Sequence, residues 1–281
     1  MMIEILRHTF WETLEISGLV FVALVAMDLA YVYSRGQMLS FLQKYPRAQY
    51  LISAFLGAVP GCEGAFLAVS LHTHGLITFG ALIAAFIATT GDEAYVMFSE
   101  FPLAALGLTA LLFLIGYLAG WLVDVAQKRR RGGHEFHCVT AIFHPAVKFS
   151  FRHYTLDHVW NHIIKQHMIK IFLWTFAAIF LIEWAITAYQ LEQFLSDKPY
   201  LMLLAAGLVG LIPQSGPHLI FVSMFMEKTI PFSVLFTNML VQNGHALLPL
   251  LSVSLKDSLV IKGIGLALGL LLGGALMWGG M

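Results

Sequence analysis

At 281 residues the chain is 59% hydrophobic and only 11% charged, with a mean hydropathy of +0.79. That is too little polar surface to cover a water-soluble globule of this length, which excludes a soluble enzyme and implies an integral membrane protein. Sixteen basic residues balance sixteen acidic ones, so net charge argues neither for nor against a charged partner.

Apolar runs long enough to span or enter a bilayer fall at about residues 10–33, 50–72, 76–98, 103–125, 168–190, 200–225, 231–254 and 258–280. Four belong to each half. The first, with GLVFVALVAMDLAYVY at its core, is longer than a signal-peptide core and lacks a small-residue cleavage pattern, so it reads as a mature helix. Two cysteines, Cys62 in a membrane segment and Cys138 between the halves, give no disulfide framework.

From residue 57 the chain writes one stretch that it repeats from residue 210 without a gap, at a constant offset of 210 − 57 = 153. In that register Gly57 meets Gly210, Pro60 meets Pro213, Ser70 meets Ser223, Phe79 meets Phe232, Gly91 meets Gly244 and Ser99 meets Ser252. Helix breakers therefore recur at matching places inside membrane-grade sequence: Pro60, Gly61, Gly64 and Gly91 in the first copy, Pro213, Gly216, Pro217 and Gly244 in the second. Duplicated halves with Gly/Pro-interrupted apolar segments at corresponding positions point to the substrate site of a secondary transporter.

The one long polar connection, residues 126–167, is basic and histidine-rich and separates an N-terminal repeat at 1–125 from a C-terminal repeat at 168–281. Within it, TLDHVWNHIIKQH reads as an interfacial amphipathic helix or as a metal-binding histidine cluster. Lys128, Arg129, Arg130, Arg131, Lys148, Arg152 and Lys165, together with Arg35, Lys44 and Arg47 in the earlier loop, place both connections on the cytoplasmic side. Both can be inside only if an even number of crossings separates them, yet three apolar segments lie between. Tyr50–His72, interrupted by Pro60, Gly61 and Gly64, is then a re-entrant hairpin whose irregular backbone is buried in protein. Each half becomes three crossings plus one hairpin, and an odd crossing count gives the halves opposite orientation. Counting each hairpin as two short helices gives ten helical elements. The fold expected is an all-α polytopic membrane protein of two inverted repeats; the competing count makes every segment a simple crossing and the repeats parallel.

Ionisable groups are costly in hydrocarbon, so those near the breakers are functional candidates. These are Cys62 and Glu63, Asp92 and Glu93, then Ser215 and His218 with Gln214, and His245 with Gln242 and Asn243. The offset superposes Asp92 on His245 and sets Glu63 two positions from the counterpart of His218. Mixed carboxylate and imidazole ligation suits a divalent metal (Mn, Fe, Zn or Co) better than an alkali ion or organic anion. Cys62 is either a soft ligand or a small core residue. Ser215 and Asp92 are also placed to N-cap half-helices. Glu93, about 100 degrees from Asp92 around a helix, reads as a supporting group or proton carrier. Asp28 and Glu183, two residues apart in repeat register, read as proton-relay groups or as interfacial residues.

PGCEGAF at 60–66, ATTGDEAYVM at 88–97, HMIKIFL at 167–173, IPQSGPHLIF at 212–221, IPFSVL at 230–235 and QNGHALLPLL at 242–251 resemble the ten-transmembrane heavy-metal exporters, a group also labelled manganese transporters or arsenic-efflux-type permeases. The resemblance covers both repeats and implies metal export. In that group an acidic residue commonly precedes the Gly-His pair; here Asn243 stands there.

The expectation is an ion-coupled secondary transporter of the bacterial plasma membrane, not an enzyme, exporting a divalent metal, manganese first, by alternating access. Glu63, Asp92, His218 and His245 would bind the ion, with Cys62, Ser215, Gln242 and Asn243 around it. No covalent cofactor and no nucleic acid is expected; the partners are the bilayer, the metal, protons as coupling ion and a second copy of the chain in a homodimer. The runners-up are transport of an arsenic-type, anionic or organic solute and an intramembrane metalloenzyme. Cysteines introduced in the linker and at the C-terminus should be labelled from opposite faces; labelling of both from one face would overturn the inverted assignment.

Overall fold

The computed structural model describes residues 2–33, 45–130 and 199–280, with scattered positions between 160 and 180. Among the described residues every regular element is helical. In chain order these are α1 (Met2–Tyr33), α2 (Pro46–Ala58), α3 (Glu63–Thr73), α4 (Phe79–Ala88), α5 (Glu93–Glu100) and α6 (Pro102–Arg130). They continue as α7 (Pro199–Val209), α8 (Gly216–Met226), α9 (Phe232–Val241), a 3-10 turn at Gly244–Ala246, α10 (Leu247–Val253) and α11 (Leu255–Trp278). α6 runs to Arg130, past the boundary drawn at residue 125. Glu183, the side chain of Asp28 and most of the 126–167 linker lie outside the described residues.

Element bounds recur at the spacing read from the sequence. Adding 153 to Glu63–Thr73 gives 216–226, the bounds of α8, and adding it to Phe79–Ala88 gives 232–241, those of α9. The signals that set them are local. Prolines open α2 and α7, where a missing N–H costs nothing. Thr78 caps α4 by accepting from the Ala81 N–H, and Ser254 caps α11 by accepting from the Asp257 N–H. α3 and α8 end in the same pair of bonds: Gly75 N–H to His72 O and Leu76 N–H to Leu71 O, against Lys228 N–H to Phe225 O and Thr229 N–H to Met224 O. This is a Schellman ending, which wants a left-handed residue after the helix. Gly75 supplies it with φ 71°, but Lys228 has to adopt φ 58°.

Each half is built around a core helix. Every residue of α4 from Gly80 to Ala88 is buried, as is every residue of α9 from Ser233 to Val241. A helix that is apolar on all sides needs cover on all sides. α4 receives it from α2 and α6, α9 from α7 and α11. Small residues permit the close approach, as membrane helices commonly require. A Cβ on Gly120 would meet the Gly80 carbonyl, and one on Gly116 would lie 2.6 Å from the Ala84 oxygen. Their counterparts Gly269 and Gly273 face the matching carbonyls of α9, where a Cβ would lie 3.3 Å from Thr237 O and 3.2 Å from Ser233 O. α6 (over Pro102–Gln127) and α11 are the described helices long and apolar enough to cross a membrane on their own, and α4 with α5 forms a pair bent by 42° that passes the same test jointly. Their outer faces carry exposed Leu103, Leu106, Leu114, Leu118, Leu255, Leu259 and Leu271. Such a surface is stable against lipid rather than water, and the chain is an integral membrane protein.

The strained lysine gives a check on the repeat. A left-handed non-glycine residue costs about 1 kcal/mol, so Lys228→Gly should raise the thermal midpoint in detergent, whereas Gly75→Ala should lower it by a comparable amount.

Candidate metal centre at the helix breaks

Both core helices stop inside the protein, and they stop alike. After Ala88 the backbone turns extended at Thr89 (φ −77°, ψ 134°), and after Val241 it does the same at Gln242 (φ −67°, ψ 151°). Two residues later Gly91 and Gly244 take φ 61° and 51°, a region that L side chains rarely occupy. Asp92 and His245 come directly after these glycines, at the start of α5 and within the 3-10 turn.

The freed backbone groups find partners in a shared network. The Thr89 hydroxyl accepts from Gly91 N–H at 3.3 Å, and at the matching place the Gln242 Oε1 accepts from Gly244 N–H at 2.7 Å. The other end of the same amide crosses between halves: Gln242 Nε2 donates to the carbonyl of Thr89, its own repeat counterpart, at 3.3 Å. Asn243 Nδ2 donates to Phe86 O at 3.1 Å, and Gly61 N–H to Gly91 O at 3.0 Å. Helix packing across the halves is reciprocal, α3 against α10 and α8 against α5. Counterparts in direct contact and swapped helix contacts bring the two breaks together at one place between the halves.

Chemistry gathers where the breaks meet. Cys62 Sγ, a carboxylate oxygen of Asp92 and a ring nitrogen of His245 lie within 4.8 Å of one another. Asp92 Oδ2 is the hub. It is 3.8 Å from His245 Nδ1, accepts from the Ser215 hydroxyl at 3.1 Å, and has Cys62 Sγ at 3.8 Å. In repeat register Asp92 pairs with His245 and Cys62 with Ser215, since 215 − 62 = 153. Cys62 and Ser215 occupy the N-cap positions of α3 and α8, yet neither side chain caps its own helix. Both turn to Asp92, whose negative charge thereby sits at the positive ends of two half-helices. Cys62 and His245 are buried while the Asp92 side chain is 47% exposed, so the cluster is open at its carboxylate.

The second nitrogen of His245 faces α1. Nε2 lies 3.0 Å from Glu12 Oε1, and Glu12 Oε2 lies 3.7 Å from His8 Nδ1. Sequence reasoning missed Glu12. The signal was present: Thr9, Thr13 and Ser17 form a buried small-polar stripe on α1, which packs on α3, and Glu12 stands beside it.

Other candidates lie elsewhere. Glu63 is exposed at the start of α3, folded over the position where a Cβ on Gly61 would be, and is not part of the cluster. Its placement follows from the turn: Cys62 ends the bend facing inward, and the next residue begins a helix facing out. His218 is fully buried in α8, with Nε2 on Ile212 O at 3.0 Å and Nδ1 without a partner. Glu93 is fully buried and neither of its oxygens has a hydrogen-bond partner. Gln242 has both ends of its amide engaged and acts as a brace, and Asn243 keeps a partnerless Oδ1. Of the breakers, Gly61 is left-handed at φ 99°, and a Cβ on Gly64 would strike Leu56 O. Pro60 and Pro213 fall in the turns, while Gly216 and Pro217 open α8.

The profile of a protein family described as "Putative, 10TM heavy-metal exporter" matches this chain over residues 1–178 and 151–264. No curated protein and no solved structure matches it.

The brace can be tested separately from the cluster. Gln242→Ala removes the bond to Thr89 O and leaves Gly244 N–H unsatisfied, which should cost about 1–3 kcal/mol; thermal unfolding in detergent measures it. Gly244→Ala should cost at least as much, because its Cβ would sit 2.9 Å from Cys62 Sγ on a left-handed backbone.

Proposed function

The chain belongs to the ten-transmembrane heavy-metal exporter family, and we propose that it moves a divalent transition metal through the cluster of Cys62, Asp92 and His245. The observation that carries this reading is the meeting of two repeat-related pairs, Asp92 with His245 and Cys62 with Ser215, between the halves. Of the three ligands, Cys62 and Asp92 come from the first half and His245 from the second, which also supplies Ser215 as a donor to Asp92. In a transporter of inverted repeats such a site is where alternating access pivots, and the odd crossing count of each half supports the inverted arrangement with a cytoplasmic linker.

The donor set bears on the metal. Thiolate, imidazole and carboxylate together suit borderline ions, whereas manganese prefers oxygen. Zinc is therefore the first ion to test, followed by cobalt and iron, with manganese behind them. A carboxylate at the hub repels an arsenic-type oxyanion, which sets the anion reading below the cation one. Three ligands and an open side also suit a catalytic zinc; the pairing of ligands across the halves favours transport, because relative motion of the halves assembles and disperses the site.

Protons are the coupling ion in this reading. Metal ligation needs the Cys62 thiolate and a free lone pair on His245 Nδ1, so loading expels protons. With Nδ1 on the metal, Nε2 would face Glu12 Oε1 across its 3.0 Å ion-pair distance, the kind of carboxylate partner that fixes ring orientation in carboxylate–histidine–metal sites. Glu12 and His8 offer those protons a route along α1, and Glu93 is a second carrier, since its partnerless oxygens exchange a proton without breaking a hydrogen bond.

Metal-resolved flux into proteoliposomes under a proton gradient decides the matter. Asp92→Asn, His245→Ala and Cys62→Ser should each reduce flux and binding of the transported metal sharply, and Glu12→Gln should weaken binding by about 10–100-fold while flattening the pH dependence of flux. Wild-type protein that neither binds nor moves any divalent metal, with variants that match it, ends the metal reading.

A further inference from the structure

The hydrogen bonds of Lys262 go to none of the residues of the metal cluster. Its side chain leaves α11 toward the protein interior and is 8% exposed, on the side where α11 packs on α7 and α9. Nζ donates to Gly210 O at 2.9 Å and to Val241 O at 3.2 Å. Val241 is the last residue of the broken core helix α9, and Gly210 directly follows the last residue of α7. Terminal carbonyls have no partner in their own helix and carry the negative end of its dipole. The ammonium therefore sits where two such ends converge.

Among the described residues no carboxylate pairs with Lys262, and the nearby titratable group is His218 of α8. The facing elements α7, α9 and α10 bring it no acid: their ionisable residue is Tyr200, which is exposed. Burying an ammonium without a carboxylate partner is costly, so a lysine that meets carbonyl dipoles and no acid among the described residues is an uncommon choice for packing. Carbonyl oxygens at the ends of interrupted membrane helices are instead the ligands by which transporters hold a small monovalent cation. The first half lacks the charge. The counterpart of Lys262 is Thr109, since 262 − 153 = 109, and its buried hydroxyl has no hydrogen-bond partner.

We propose that the carbonyl ends of α7 and α9 form a seat for a monovalent cation, and that Lys262 fills this seat with its own ammonium. The second break is thereby held by a tethered charge, and the exporter works without sodium or potassium. The assignment stands apart from the metal reading, because it concerns a different pair of helix ends.

Lys262→Thr, which installs the residue of the first half, tests it. In choline chloride the variant should unfold at a lower temperature than the wild type, and added sodium, potassium or methylammonium should restore the difference with the logarithmic dependence of a binding equilibrium. The wild type should respond equally to all four salts. A variant as stable as the wild type in choline, or one lowered by the same amount in every salt, overturns the seat. If the variant does not fold, wild-type metal flux in proteoliposomes with choline as the sole monovalent cation still decides: unchanged flux supports the tethered cation, and flux that requires sodium or potassium overturns it. The unfolding measurement involves no transported metal, so its failure leaves the metal reading untouched.

Discussion

Two buried helices end in mid-protein, and the polar groups they release must be satisfied without water. In hydrocarbon each unsatisfied N–H or C=O costs several kcal/mol; the break in α4 is completed by Gln242 and Asn243 of the other half, and the break in α9 by Gln242 and Lys262 of its own. The Gln242 amide carries most of that task, donating to Thr89 O in the opposite half and accepting from Gly244 N–H in its own. Once the breaks are stable, the positions that follow them are determined: Asp92 and His245 leave the two left-handed glycines close to each other, and the N-terminal ends of α3 and α8 bring Cys62 and Ser215 to the same carboxylate oxygen.

The scaffold is duplicated, and the chemistry is where the copies differ. The bounds of α3 and α4 recur in α8 and α9, and the Schellman bonds that end α3 and α8, the left-handed glycines at 91 and 244, and the close-approach glycines on α6 and α11 match across the repeat. Cys62 against Ser215, Asp92 against His245, Thr89 against Gln242 and Thr109 against Lys262 do not match. Each of these pairs sits at a helix break or supports one. A symmetric site would bring two carboxylates or two imidazoles together, with repulsion between equal charges in the first case. Divergence gives one acid and one base at ion-pair distance instead, with a soft donor and a hydroxyl around them.

Much of this was legible in the sequence because symmetry converts a register into proximity. The offset set Asp92 opposite His245, and their side chains are 3.8 Å apart; the breakers marked where the helices stop. What the register could not convey was direction. Glu63 and Cys62 are adjacent, but the turn aims the cysteine inward and the first helical residue outward, so the acid lies outside the cluster. His218 shares a helix with the breaker segment, yet it points to the Ile212 carbonyl. Gln242 reads as an oxygen ligand until its amide is seen to be used at both ends. Glu12 and Lys262 lie outside the doubled stretch's polar matches, on helices whose function is decided by what packs on them. The counterpart of Lys262 is a threonine, so a search for recurring charge passes over it.

The position of the brace relative to the cluster bears on how such a site could open. Gln242 links the halves by one hydrogen bond to a backbone carbonyl, at the point where counterparts touch. If the halves rotate against each other as the proposed transport requires, the contact where counterparts touch would move least. Cys62 and Ser215, at the ends of α3 and α8, would be carried in opposite senses by the same rotation. Asp92 would then keep its distance to one of them and lose the other, while His245 would be drawn toward or away from Glu12 on α1. In the proposed transport, metal affinity and the proton on His245 would thus be tied to one motion about one amide, and a change in either would displace the other.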